Sequence, residues 1–93
     1  VTPYRISPPP ADAPFETVEE RIMRHAINLS TRGLRARSVA IHPEDYRESL
    51  TRLGAKGDDS GYSMYTAAGS IRVKADPDIA RFELRFDEIE RSV

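Results

Sequence analysis

The sequence predicts an α+β fold: a two-layer sandwich of two helices against a mostly antiparallel sheet of about four strands, preceded by an extended N-terminal arm. Three observations predict it. Apolar residues recur at helical spacing in residues 17–32 and again in Pro43–Leu53. From Tyr62 onward the period changes to two. The alternating segments also keep one charged face, as a sheet covered on one side requires.

Residues 1–14 hold five of the seven prolines, with Pro8, Pro9 and Pro10 in a row. Such a run favours polyproline II and supplies little apolar surface for a core. It reads as an arm separate from a single small domain at 15–93, able to reach on the order of 40 Å when fully extended. Tyr4, Ile6 and Phe15, with Pro8, Pro9 and Pro10 between them, are the anchors it offers a neighbour. No PxxP core with a well-placed flanking Arg marks it as a ligand for a proline-reading domain.

Residues 17–32 form the first helix. Thr17 and Glu20 match the capping box, in which hydroxyl and carboxylate each satisfy an orphan backbone N–H. Val18, Ile22, Ala26 and Leu29 make the apolar stripe, widened by Met23 and Ile27. Glu20 and Arg24 are spaced for an i, i+4 pair, and Gly33 closes the helix. His25 lies at the boundary between stripe and charged face, with no second metal ligand one turn away. Residues 34–42 follow as a strand with Val39 and Ile41 apolar.

The next helix has the clearest local signals. His42 ends the strand, and Pro43 suits the first helical position, where its missing N–H costs nothing. Glu44 and Asp45 place negative charge at the positive end of the helix dipole. Tyr46, Leu50 and Leu53 share one face, and Gly54 is a C-terminal cap. The loop 54–61 contains Lys56, Asp58 and Asp59. It follows a helix, so it is not a phosphate loop, and it lacks the spacing of a calcium loop.

Residues 62–67 and 70–75 read as strands joined by a turn at Ala68 and Gly69, with Ile71 and Val73 on one face and Arg72 and Lys74 on the other. After the turn Asp76-Pro77-Asp78, residues 79–87 alternate: Phe82, Leu84 and Phe86 inward, Arg81, Glu83, Arg85 and Asp87 outward. The charged stretch 88–93 is expected to fray.

Composition bounds the function. The net charge is −1, without the cationic footprint of a duplex binder. The cluster Arg32, Arg35 and Arg37 is the one nucleic-acid option, and it lacks interleaved aromatics. Absence of cysteine removes disulfides, thiol nucleophiles and cysteine metal sites. No apolar run approaches the ~18 residues of a membrane span, and no secretion signal opens the sequence. His42 is the one plausible base for catalysis, but helix-start chemistry explains its acidic neighbours. No catalytic residue, metal site or cofactor is expected.

One pattern extends further. The segment SVAIHPEDYRESL, a Gly/Asp loop with Tyr62, AAGSIRVKADPDI and the last alternating strand resemble the C-terminal part of tailed-phage capsid proteins, over residues 38–87. The long spine helix and extended loop of a complete shell subunit have no counterpart. The resemblance therefore implies a small virion component, such as a cement or minor head protein, with no active site to carry over. The expected function is a non-enzymatic structural one: binding protein subunits of the same assembly as a homo- or hetero-oligomer, in a virion, or otherwise in the cytoplasm as an adaptor or regulatory module. The arm anchors and the charged face of Arg72, Lys74, Arg81 and Arg85 are the expected contacts.

Overall fold

The computed structural model describes residues 4–54 and 61–91; residues 1–3, 55–60 and 92–93, with the loop positions Lys56, Asp58 and Asp59, lie outside them. The elements are β1 (Tyr4–Ile6), α1 (Val18–Thr31), β2 (Leu34–Ile41), α2 (Pro43–Leu53), β3 (Tyr62–Thr66), β4 (Gly69–Ala75) and β5 (Leu84–Arg91). The sheet order is β1-β5-β2-β4-β3. Only β2 and β4 run parallel; the other pairings are antiparallel. The fold is thus the expected α+β sandwich, with five strands among the described residues in place of about four.

The central strand explains the layering. Val39 and Ile41 of β2 lie opposite Phe86 and Leu84 of β5, and all four are fully buried. Ile22, Ala26 and Leu29 of α1 cover them, joined by Ile71 and Val73 of β4 and Tyr62 and Met64 of β3. Burying side chains of this size stabilises by about 1.5–3 kcal/mol each.

Helix ends follow the local signals. Thr17 caps α1, its hydroxyl accepting from the Glu20 N–H at 3.2 Å. The Glu20 carboxylate accepts from that hydroxyl, not from a backbone N–H. His42 caps α2: its Nδ1 accepts from the Glu44 N–H at 3.0 Å, just before Pro43. Gly54 ends α2 in the left-handed region at φ 63°, which an L side chain avoids.

Several expectations are corrected. Tyr4–Ile6 leaves the arm and joins the sheet as its edge strand, because β5 offers a free ladder. The last strand begins at Leu84, not at Ile79. Residues 76–83 form successive turns, closed by Ile79 N–H to the Asp76 carbonyl and Glu83 N–H to the Ala80 carbonyl, both 3.1 Å. Phe82 is consequently not in the core. Beyond Leu84 the strand runs on to Arg91 where fraying was expected, paired with β2 as far as Leu34. Glu88 adopts φ 54°, and the alternation changes phase there, so that Ile89 is buried and Glu88 exposed. Ile27 and Leu53, assigned to apolar faces, are exposed. Arg24 pairs with Glu16 (Nε–Oε2 3.1 Å, Nη2–Oε1 2.7 Å) in place of Glu20.

Candidate functional site

Between the two helices and the chain entering β5 lies a group of buried polar side chains. The Glu19 carboxylate receives a two-pronged contact from Arg52 (Nε–Oε2 2.9 Å, Nη2–Oε1 2.8 Å). Burial pushes the Glu19 carboxyl up, but the hydrogen bonds from Arg52 and Ser49 outweigh it and hold it below the ordinary carboxylate range. Ser49 shares a hydrogen bond with the Tyr62 hydroxyl, which burial pushes up. The Tyr62 ring in turn packs against Tyr46 at 5.4 Å between centroids. These contacts lock α2 onto α1 and β3.

The second half of the group holds a strained residue. Phe82 has φ 65°, uncommon for a bulky side chain. Its peptide is gripped on both sides. The Phe82 N–H donates to Asp45 Oδ2 at 2.7 Å, and its carbonyl accepts from Arg21 Nη1. Asp45 is only 1% exposed and Arg21 only 3%. Arg21 Nη2 also donates to the Ser7 carbonyl at 3.1 Å, tying down the start of the proline stretch. Burial, then repulsion from Arg24, lowers the Arg21 pKa. Arg81 closes the outside. It contacts Asp45 Oδ1 at 3.0 Å, reaches Glu48 at 3.1 Å and Glu44, and lies 4.8 Å over the Phe82 ring. The Arg81–Asp45 contact is an ion pair without an aligned hydrogen bond.

The result is an exposed aromatic held in place. Phe82 is 48% exposed and Phe15, at the end of the proline stretch, 89%. With Pro9 and Val18 they line a hollow of about 50 Å³ that also meets Arg21, Asp45, Glu48 and Arg52. Metabolite pockets are ~300–1,000 Å³. This one takes the tip of a side chain. Exposed Phe side chains and Arg are residue types enriched at protein interfaces.

The residues expected to meet partners fall in three places. Phe15 and Pro9 stand beside Phe82, with Pro8 and Pro10 flanking Pro9. Tyr4 and Ile6 form β1, Ile6 packed against the core and Tyr4 partly exposed. Arg72, Lys74 and Arg85 lie on the open sheet face with Arg5. Arg85 is committed to Asp76 (3.0 Å) and Asp87 (3.1 Å), and Arg5 to Glu83 (3.5 Å). Arg81 is not on that face; it belongs to the Asp45 group, because the strand that would have carried it outward starts three residues later. From the sequence Asp45 was read as a helix-start acid and Phe82 as a core residue, and Arg21 was not singled out. Its signal was its place three residues after Val18, a charge in register with an apolar stripe.

Arg37 pairs with Glu90 at 2.7 Å, and Arg35 folds over Gly69, where an added Cβ would come within 3.1 Å of its guanidinium. Among the described residues no helix is long and apolar enough to cross a membrane, and no group of three His, Cys, Asp or Glu could hold a metal ion. No protein-family model matches the sequence, and comparison with curated proteins and with solved structures yields no match.

Proposed function

We propose that this chain is a non-enzymatic, subunit-binding component of a protein assembly, of the virion kind that its resemblance to phage capsid proteins implies. One observation carries the reading. A bulky aromatic is kept half in solvent, in a backbone conformation that costs energy, by two buried charges that touch its own peptide. Strain of this kind persists where surrounding structure over-determines it and gathers at functional sites. Phe15 adds a second exposed ring to the same surface. Together they are suited to insertion into pockets of a neighbouring subunit.

The test is sedimentation from the cells in which the chain is native. Tagged wild type should travel with a large particle. A Phe15→Ser/Phe82→Ser variant, folded by circular dichroism, should remain at the top of the gradient. Wild type sedimenting as a free small protein refutes the reading, and so does a double variant that still travels with the particle.

A further inference from the structure

Among the described residues, β1 pairs with β5 through Tyr4↔Phe86, Arg5↔Arg85 and Ile6↔Leu84. The central pair sets Arg5 opposite Arg85, and each is compensated off the ladder, Arg5 by Glu83 and Arg85 by Asp76 and Asp87. Ile6 supplies the apolar grip, partly buried against the core. From Ser7 to Thr17 the chain carries Pro8, Pro9, Pro10 and Pro14, whose preference is extended, yet it must double back to start α1. The reversal rests on a turn in which the Ala13 N–H donates to the Pro10 carbonyl at 3.0 Å, and on Arg21 holding the Ser7 carbonyl.

We propose that β1 is an exchangeable strand: Tyr4–Ile6 of one copy leaves its own β5 and pairs with β5 of a second copy, reciprocally. This deepens the assembly reading and rests on it. The occupant follows from the slot itself. Register, the Ile6 seat and the Arg21 clasp already fit this segment, so a second copy reproduces every contact of the closed form. The Pro10–Ala13 turn opens and the segment between Ser7 and Thr17 extends. Opening it lets the proline segment take its preferred extended path, which offsets part of the association entropy. Reach is sufficient. The eleven residues Ser7 to Thr17, at ~3.1 Å each in polyproline II, span ~34 Å. That is comparable with the molecule's own extents of 35 × 33 × 24 Å.

Because the chain has no cysteine, engineered thiols report the strand's partner without background. An Arg5→Cys chain and an Arg85→Cys chain are mixed, co-refolded and oxidised, so that any disulfide is between copies. The two positions face each other in the ladder, within disulfide range. The expected result is a covalent dimer on non-reducing gels at least tenfold above a control pairing Arg5→Cys with Ser70→Cys, an exposed position away from the slot. Deleting residues 11–13, which removes the turn, should shift the otherwise wild-type chain to dimer or higher oligomer by light scattering. A single chain carrying both cysteines shows that the strand is formed. If that chain bridges internally while the mixture gives no more dimer than the control, and the deletion stays monomeric, exchange is refuted. Only this chain is present in the experiment, so failure here leaves the Phe15/Phe82 contact to stand or fall by its own test.

Discussion

Replacing Phe82 by glycine and by alanine gives opposite orders of stability depending on whether its backbone is held left-handed. Both substitutions lose the ring. At 48% exposure, about half of the ~200 Å² of an aromatic is buried, worth up to ~2.5 kcal/mol at ~25 cal/mol/Å², and this loss is common to both variants. Both keep the N–H that Asp45 accepts and the carbonyl that Arg21 donates to. What differs is the backbone. At φ 65°, a residue with a Cβ costs roughly 1–2 kcal/mol. Glycine avoids that and gives back ~0.5–1 kcal/mol through its freer unfolded chain. The balance favours Phe82→Gly over Phe82→Ala by about 0.5–1 kcal/mol, the reverse of the order in a helix or strand. For a domain of this size that is ~2–8 °C in Tm. Paired thermal melts and urea titrations measure it. An alanine variant at least as stable as the glycine variant would mean that Phe82 is not held in this conformation and that no strain is stored at this surface.

Two further outcomes follow from the titrating and capping groups. Burial, reinforced by Arg24 and Arg21 and opposed by Glu16, holds His25 below its ordinary 6.5. The unfolded chain therefore takes up a proton first as the pH falls through 6.5, and stability drops from there until folded His25 protonates too. His25→Gln should flatten this limb in melts from pH 7.5 downward. The acid limb below about 4.5 should remain, because Glu19, with its folded pKa depressed, loses its contribution only as the pH falls through that lower value. A wild-type profile flat between pH 7 and 5.5 would contradict the burial of His25. For the α2 cap, His42→Asn should leave the urea midpoint nearly unchanged, whereas His42→Ala should cost ~1 kcal/mol. Equal losses in the two would show that the imidazole does more than accept the Glu44 N–H.

What the sequence made legible was local. Thr17, Pro43 and Gly54 each act within one turn of chain, and they mark the helix ends where the structure has them. Strands β3 and β4 were legible for the same reason: alternation over five to seven residues with a turn between. The failures are all tertiary. Phe82 shares parity with Leu84 and Phe86, and nothing nearby in sequence says otherwise. It is placed by Asp45 and Arg21, which lie 37 and 61 residues away. Three residues are too few for β1 to show a period; its strand character comes from the edge of β5. The face of α2 was misread in part because polar positions were assumed to face water. Asp45 and Ser49 are its fully buried residues, with Asp45 Oδ2 accepting from the Phe82 N–H and Ser49 sharing a hydrogen bond with the Tyr62 hydroxyl, while Leu53 points outward.

That burial of charge is itself an argument about function. A domain this small has little stability to spare. Burying a charge costs free energy that an apolar side chain in its place would not. Here Arg21 and Asp45 are nearly inaccessible, Arg21 Nε has no hydrogen-bond partner among the described residues, and both groups act on the peptide of one strained residue. Desolvation and backbone strain thus fall at one point, and the surface above it carries Phe15 and Phe82. A core optimised for stability alone would have neither cost. Arg21 also binds the two elements assigned to subunit contact, because one guanidinium holds both the Phe82 carbonyl and the Ser7 carbonyl. An empty arm slot would leave Nη2 of a buried cation without its acceptor, at about 1–3 kcal/mol for an unsatisfied group. In the chain as it stands the Ser7 carbonyl fills that slot, so the arm and Phe82 are held by one side chain.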